Sequence, residues 1–253
     1  MGYRAGLIGA LVAGVCLGAA GEAGAAPEPP QVEVPPRTSI SVRSVVPGVQ
    51  WGTANERESR GGLSIVKLYM ADYALRHGDG SEEDKRLGER MIRYSDDGAA
   101  DAMAAKYPQA IDAVAAEYQL SATQGSGGWA VSSTSTADVS DFLAAKMRSD
   151  PESPVLTWMS EASPVAADGT VQDWGTSRLP QVQGSKWGWA DVGVPEVASA
   201  SYGPGFTVSA HTYGTADEQT EDVLGAVTGL VTDLWTANSR PCLLPQIGWC
   251  GPA

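Results

Sequence analysis

The chain has 253 residues, a formal net charge of −13 and 43% hydrophobic residues. The acidic balance argues against a nucleic-acid partner, because such binding depends on Lys and Arg neutralising phosphates. The two histidines lie far in sequence from any cysteine, so neither a metal site nor another cofactor is expected. The length fits one domain with a sizeable core.

Residues 1–25 have the pattern of a secretory signal peptide. Arg4 supplies the positive charge, residues 5–20 are apolar, and residues 23–25 read Ala-Gly-Ala, a small-residue cleavage site. A retained membrane anchor is the alternative, but the apolar run is shorter than the roughly 20 residues that a spanning helix needs. We therefore expect an exported protein, secreted or kept in the cell envelope, with no membrane span after cleavage.

Residues 26–48 are rich in proline and predict an extended leader, although residues 39–46 alternate loosely enough to form a strand. The folded domain is predicted over residues 49–238. Apolar spacing, caps and glycines predict helices over residues 63–77, 81–93, 98–106, 110–118, 137–147 and 157–162. Residues 163–183 have no regular pattern.

The strand signal comes late in the chain. Residues 197–202 and 206–213 predict two strands joined by a tight turn, and residues 221–235 predict an amphipathic helix that packs on them. A helical middle followed by strands and a terminal helix predicts the α+β class.

Residues 239–253 form a predicted tail. Cys242 and Cys250 are the only cysteines left after signal cleavage, and an even count in an exported protein suggests a disulfide. Because the loop is short, the chain-entropy model gives it about 2–3 kcal/mol.

Three short motifs carry the candidate chemistry: Ser64-Ile65-Val66-Lys67, Ser95-Asp96-Asp97 and Lys186-Trp187-Gly188. Ser64 and Lys67 share one face of the first helix, where a lysine of lowered pKa can take the proton of a serine nucleophile. Each motif alone has an ordinary explanation, since Ser and Asp commonly cap helices and an isolated lysine is usually solvated.

Taken in order, the motifs resemble the S-x-x-K, S-D-N and K-T-G elements of class A β-lactamases and penicillin-binding proteins. The resemblance covers about residues 50–235. It implies an antiparallel sheet flanked by terminal helices, with a helical half inserted into it.

The resemblance also implies roles for individual residues. Ser64 would be the nucleophile, Lys67 its base, and Ser95 the shuttle that carries a proton to the leaving group. Substrate would be bound by four residues of the other motifs: Asp97, Lys186, Trp187 and Gly188. The implied substrates are small-molecule β-lactams or the D-Ala-D-Ala-type peptides of peptidoglycan.

Three departures from this pattern bear on activity. Asp97 stands where the family has Asn, and an anion there opposes the use of Lys67 as a base. Trp187 replaces a hydroxyl residue that helps to bind the substrate carboxylate. Residues 124–134 contain no carboxylate, whereas β-lactamases carry a glutamate in the corresponding loop that activates the deacylating water.

Two functions on this fold remain open. The first is an exported serine hydrolase or acyltransferase-like protein, and the second is a catalytically weak or inactive binding protein of the cell envelope. An unrelated secreted α+β domain with chance motifs is a third alternative. The oligomeric state is not predicted by any feature of the sequence.

Overall fold

The computed structural model describes residues 33–45 and 49–238. Within them lie seven strands: β1 (Thr38–Ser44), β2 (Gln50–Gly52), β3 (Arg60–Gly61), β4 (Ser133–Thr134), β5 (Gly184–Trp189), β6 (Val197–Gly203) and β7 (Phe206–Thr212). The helices are α1 (Lys67–His77), α2 (Glu82–Arg93), α3 (Asp97–Lys106), α4 (Ala110–Tyr118), α5 (Thr136–Ser149), α6 (Pro154–Ser160) and α7 (Ala216–Asn238). Short 3₁₀ helices occur at Leu63–Val66, Trp129–Val131 and Gly175–Arg178.

The main sheet is antiparallel and has the strand order β2-β1-β7-β6-β5. Helices α1 to α6 all lie in sequence between β2 and β5, so a helical half is inserted into the sheet. The predicted class, α+β with a helical insertion, is therefore confirmed.

The predicted leader overlaps the sheet. Strand β1 pairs with β7 along its whole length, from Thr38 opposite Thr212 to Ser44 opposite Phe206. The folded unit therefore begins by residue 38, and the predicted boundary at residue 49 is too late. The proline-rich sequence directly upstream concealed the strand, although Ile40 and Val42 alternate with serines along it.

The two faces of the sheet differ in chemistry. Toward α7 the strands present apolar side chains such as Ile40, Val42 and Phe206, which we call the α7 face. Toward α5 they present hydroxyls: Ser39 lies 2.7 Å from Thr136, and Ser140 donates to Ser209 Oγ at 3.2 Å. Alternation of side chains along a strand produces this division.

The helical half has its own apolar core, centred on α1. Leu68, Tyr69 and Met70 are buried there among α2, α4 and α5. Ser81 caps α2 as predicted and accepts from Asp84 N at 3.2 Å. Two predicted helices begin too late, because α6 starts at residue 154 and α7 at residue 216.

Among residues 33–45 and 49–238, no helix is both long and apolar enough to cross a membrane. The predicted signal peptide and the Cys242–Cys250 pair lie outside the described residues.

Candidate active site

Ser64 lies on a tight entry into the first helix. The predicted helix of residues 63–77 begins as the 3₁₀ helix Leu63–Val66, and α1 itself starts at Lys67. Leu63 has a φ of 46°, a left-handed conformation that is uncommon for a leucine. Ser64 is 8% exposed, and none of the hydrogen bonds among the described residues involves its Oγ. Its hydroxyl therefore contacts no base among the described residues, although a serine nucleophile needs a base to take its proton.

Strand β5 lies directly against Ser64. A Cβ placed on Gly188 would be 2.8 Å from the backbone N of Ser64 and 2.8 Å from Leu63 Cβ. No side chain fits at that position, so glycine permits the contact. Gly188 and Lys186 share one face of β5, because residues two apart in a strand point the same way. Two of the three motifs therefore meet here.

Lys67 is completely buried and bonded away from Ser64. Its Nζ donates to Ser95 O at 2.8 Å and to Asp97 Oδ1 at 2.5 Å. The expected hydrogen bond between Ser64 and Lys67 is absent from the described residues. Burial lowers the pKa of Lys67, while the hydrogen bond and charge of Asp97 act to raise it. The carboxylate thus opposes the loss of the Lys67 proton, while burial favours it, and the hydrogen bonds of Nζ go to Asp97 and Ser95 and not to Ser64.

Ser95 stands between the two lysines. Its Oγ accepts from Lys186 Nζ at 2.7 Å, and its carbonyl oxygen accepts from Lys67. It adopts a φ of 51°, which turns the chain so that both groups face the cleft. Strain of this kind occurs at functional sites when surrounding contacts enforce it. The next residue, Asp96, supplies such contacts by capping α3 through Ala99 N and accepting from Arg90.

Lys186 is also completely buried, with no carboxylate among its hydrogen-bond partners. Its Nζ donates to Ser95 Oγ at 2.7 Å and to Trp187 O at 2.9 Å. Burial lowers its pKa well below the usual value, and the nearby charge of Lys67 lowers it further. The Asp97 charge acts in the opposite direction.

Trp187 does not reach the cleft. Its ring is buried on the opposite face of β5, 6.3 Å from the ring of Trp174, and its Nε1 donates to Trp174 O. The predicted substrate-binding role is therefore corrected. Adjacent residues of a strand point to opposite faces, so a tryptophan beside an inward-facing lysine points outward.

A different tryptophan reaches the site, and sequence reasoning missed it. Trp129 belongs to none of the three motifs, but its ring centroid lies 4.5 Å from Lys67 Nζ. Its Nε1 donates to Asp101 Oδ1 at 2.8 Å, which fixes the ring over the ammonium. Such cation–π contacts contribute about 0.5–2 kcal/mol. The residue belongs to the segment 124–134 that lacks a carboxylate, so an aromatic ring covers Lys67 there.

Asp168 is a second missed residue. Together with Ser95, Asp97 and Ala167 it lines a pocket of about 230 Å³. Ala167 N donates to Tyr94 O at 2.8 Å, which ties this loop to the Ser95 turn. The loop lies in the segment predicted to be irregular, where nothing in the sequence indicated a contact with the site.

The comparisons with known proteins concern the fold. No protein-family model matches the sequence, and the comparison with curated proteins found no match. Solved structures do match. Penicillin-binding protein D2 from Listeria monocytogenes in its ampicillin-bound form is 17% identical, with a TM-score of 0.55, over 76% of this chain and 96% of that one.

Two further matches represent related enzymes. A putative class A β-lactamase from Rhodopseudomonas palustris has a TM-score of 0.57 at 16% identity, covering 78% of this chain and 94% of that one. A D-alanyl-D-alanine carboxypeptidase from Mycobacterium tuberculosis H37Rv has a TM-score of 0.56 at 18% identity, covering 85% and 98%. At these identities the matches show the fold that the motifs implied, that of serine β-lactamases and penicillin-binding proteins.

Proposed function

We propose that this protein is an exported serine hydrolase or acyltransferase that forms an acyl-enzyme at Ser64. The substrates proposed are β-lactams or D-Ala-D-Ala-type peptides, which match what the names of the structural neighbours report for those proteins. The observation that carries the proposal is the convergence of three distant motifs. Ser95 contacts both lysines, and Gly188 places β5 against Ser64.

The chemistry available at this site is acyl transfer. The free Ser64 hydroxyl attacks a carbonyl, a buried lysine takes up the proton, and Ser95 returns it to the leaving group. The burial of both lysines favours this chemistry, because desolvation lowers the pKa of an amine toward the working pH.

Turnover is proposed to be slow. No carboxylate lies in residues 124–134, and Trp129 covers Lys67 from that side. A base that activates the deacylating water contributes about 10²–10⁴-fold in rate. We propose that Asp168, which lines the pocket at Ser95, does not take over this role, so that a β-lactam ester at Ser64 persists.

The test is the intact mass of the mature protein after incubation with penicillin and several other β-lactams. We expect one adduct per chain in the wild type, none in Ser64→Ala, and a normal adduct in Ser160→Ala, which removes an exposed serine of α6. Absence of an adduct with every β-lactam, or labelling of Ser64→Ala, contradicts acylation at Ser64. Rapid steady-state hydrolysis of a chromogenic cephalosporin contradicts the slow turnover alone.

A second candidate is a binding protein of the cell envelope on the same fold. The observation in its favour is the ion pair of Lys67 with Asp97, because a lysine that is paired with a carboxylate is a poorer base for Ser64. Calorimetric titration with a D-Ala-D-Ala peptide distinguishes the two. Binding that is equal in wild type and Ser64→Ala, without any adduct, supports the binding protein.

Export is proposed from the sequence of residues 1–25. Expression in a bacterial host followed by N-terminal sequencing should give a mature chain that begins at residue 26. Protein in the cell-envelope fraction that still begins at residue 1 would instead support a retained anchor.

The tail disulfide is likewise a proposal. Alkylation of the unreduced mature protein should leave its mass unchanged, because Cys242 and Cys250 are bonded. Uptake of two alkyl groups would show free thiols.

A further inference from the structure

The site holds two buried lysines but only one carboxylate in contact with them. Both amines are 0% exposed. Lys67 forms an ion pair with Asp97 and lies under the ring of Trp129, whereas the hydrogen bonds of Lys186 go only to Ser95 Oγ and Trp187 O.

This arrangement cannot hold two full positive charges at low cost. A buried ammonium without a counter-ion loses its hydration and gains only hydrogen bonds to neutral groups, here Ser95 Oγ and Trp187 O, so it tends to release its proton. The charged groups that act on Lys186 from the elements packed around it are Lys67 on α1, which repels an ammonium, and Asp97 on α3, which is already paired with Lys67. Lys186 is therefore the amine that gives up its proton.

We propose that Lys186, rather than Lys67, is the terminal proton acceptor for Ser64, with Ser95 as the relay, while Lys67 stays an ammonium beside Asp97. The inference rests on the proposed acylation of Ser64. It exchanges the roles that the sequence resemblance implies for the two lysines.

The step balances as follows. Ser64 Oγ forms a bond to the acyl carbon while its proton passes to Ser95 Oγ. The two hydroxyls are not hydrogen-bonded to each other among the described residues, so the proposal includes a side-chain rotation that brings them into contact when substrate binds. As the Ser64 proton arrives, the Ser95 hydroxyl proton passes across the 2.7 Å contact to the lone pair of Lys186 Nζ, giving an ammonium and a tetrahedral oxyanion. When the oxyanion collapses and the leaving group departs, the proton returns from Lys186 through Ser95 to the leaving atom. No other reactant is needed.

Nitrogen NMR of the mature protein tests the charge states without any substrate. The chain contains five lysines, at positions 67, 85, 106, 146 and 186, so an Nζ-labelled sample gives few signals. At pH 7 we expect one neutral amine, which disappears in Lys186→Met. If that variant does not fold, Asp97→Asn makes the assignment, because it moves the titration of Lys67 to lower pH. A charged Lys186 together with a neutral Lys67 at pH 7 overturns the proposal.

The pH profile of Ser64 labelling tests whether Lys186 is the proton acceptor. The wild-type rate should rise about tenfold per pH unit below the pKa that NMR assigns to Lys186, and then level off. Lys186→Met should lose about 10²–10⁴-fold in rate, the usual contribution of a general base. Lys85→Met, which changes an exposed lysine of α2, should keep the wild-type profile. A profile that follows the titration of Lys67 overturns the proposal.

The two arms separate this inference from the proposed function. A protein that is never labelled at any pH refutes acylation of Ser64, and the role of Lys186 with it. The NMR experiment still shows which lysine is neutral. In that case the proposed acylation is wrong, whether or not the proposed charge states are right.

Discussion

The α7 face of the sheet and the cleft at Ser64 belong to the same sheet but bury side chains of opposite chemistry. On the α7 face, helix and sheet meet through aliphatic and phenyl groups, including Ile40, Phe206 and Val227, all 0% exposed. At the cleft, β5 buries a lysine, and two non-glycine residues, Leu63 and Ser95, adopt left-handed backbone conformations. The apolar contacts of the α7 face stabilise the fold. The buried lysine and the left-handed residues of the cleft lower the stability of the folded state but place reactive groups.

The difference shows where changes should be tolerated. Apolar burial contributes in proportion to the area removed from water, so damage to the α7 face lowers stability and leaves the cleft chemistry intact. Buried charge and backbone strain are costly, so relieving them in the cleft should stabilise the protein and reduce activity.

The largest effect is expected from Phe206→Ala. Phe206 is fully buried in the α7 face, and removing a buried phenyl ring costs about 3–5 kcal/mol. Urea unfolding should show this loss, while the fraction that stays folded should still be labelled at Ser64. Val192→Ala, at an exposed position of the β5–β6 turn, should be neutral. A loss below about 1 kcal/mol in Phe206→Ala would show that the cavity collapses.

Lys186→Met should raise the stability of the folded protein, whereas Phe206→Ala lowers it. Because the folded pKa of Lys186 lies well below its unfolded value of about 10.4, the unfolded chain binds more protons between the two, and wild-type stability rises with pH across that window. Methionine removes this penalty. The variant should therefore melt at a higher temperature than the wild type at pH 7, with a gain that shrinks toward pH 10.

Thermal melts of wild type and variant between pH 6 and 10 measure that gain. Lys85→Met, at an exposed position of α2, is the control and should show no pH-dependent difference. A gain that grows with pH would contradict the lowered pKa of Lys186.

Asp97→Asn should speed the labelling of Ser64 by about fivefold. The side chain of Asp97 is 57% exposed in the cleft, and its charge repels the carboxylate of a β-lactam. Such repulsion amounts to about 1 kcal/mol at 4 Å in water. The gain should shrink in high salt, which screens the wild-type repulsion. Asp233→Asn, on the exposed side of α7, should change nothing, and slower labelling of Asp97→Asn would show that the ammonium of Lys67 matters more than the repulsion.

The smallest effect is expected at Gln119, a left-handed residue outside the cleft. It ends α4 at a φ of 60°, where glycine is favoured because it has no Cβ. Gln119→Gly should stabilise the protein by about 0.5–1 kcal/mol in urea unfolding, with unchanged labelling. Ser95→Gly, at the same kind of backbone position, should abolish labelling. Full labelling in Ser95→Gly would show that neither the Ser95 hydroxyl nor the strain at this position is required.

Much of the fold was predictable because its signals are local. Ser81 and the acidic residues after it predict the start of α2, and the apolar spacing of residues 221–235 predicts most of α7. The strand pair β6–β7 follows from a Pro-Gly turn between alternating segments. β1 was assigned to a leader because its pairing partner, β7, lies more than 160 residues later.

For the site, the sequence by itself determined which residue types stand at which intervals: a serine and a lysine one helical turn apart, a Ser-Asp-Asp turn, and a lysine two residues before a glycine. Only the tertiary structure decided their partners. The pairing of Lys67 with Asp97, the ring of Trp129 over Lys67 and the contact of Lys186 with Ser95 join residues 30 to 91 positions apart. Such contacts depend on how helices and strands pack, and packing follows from apolar burial over the whole chain, which no short motif encodes.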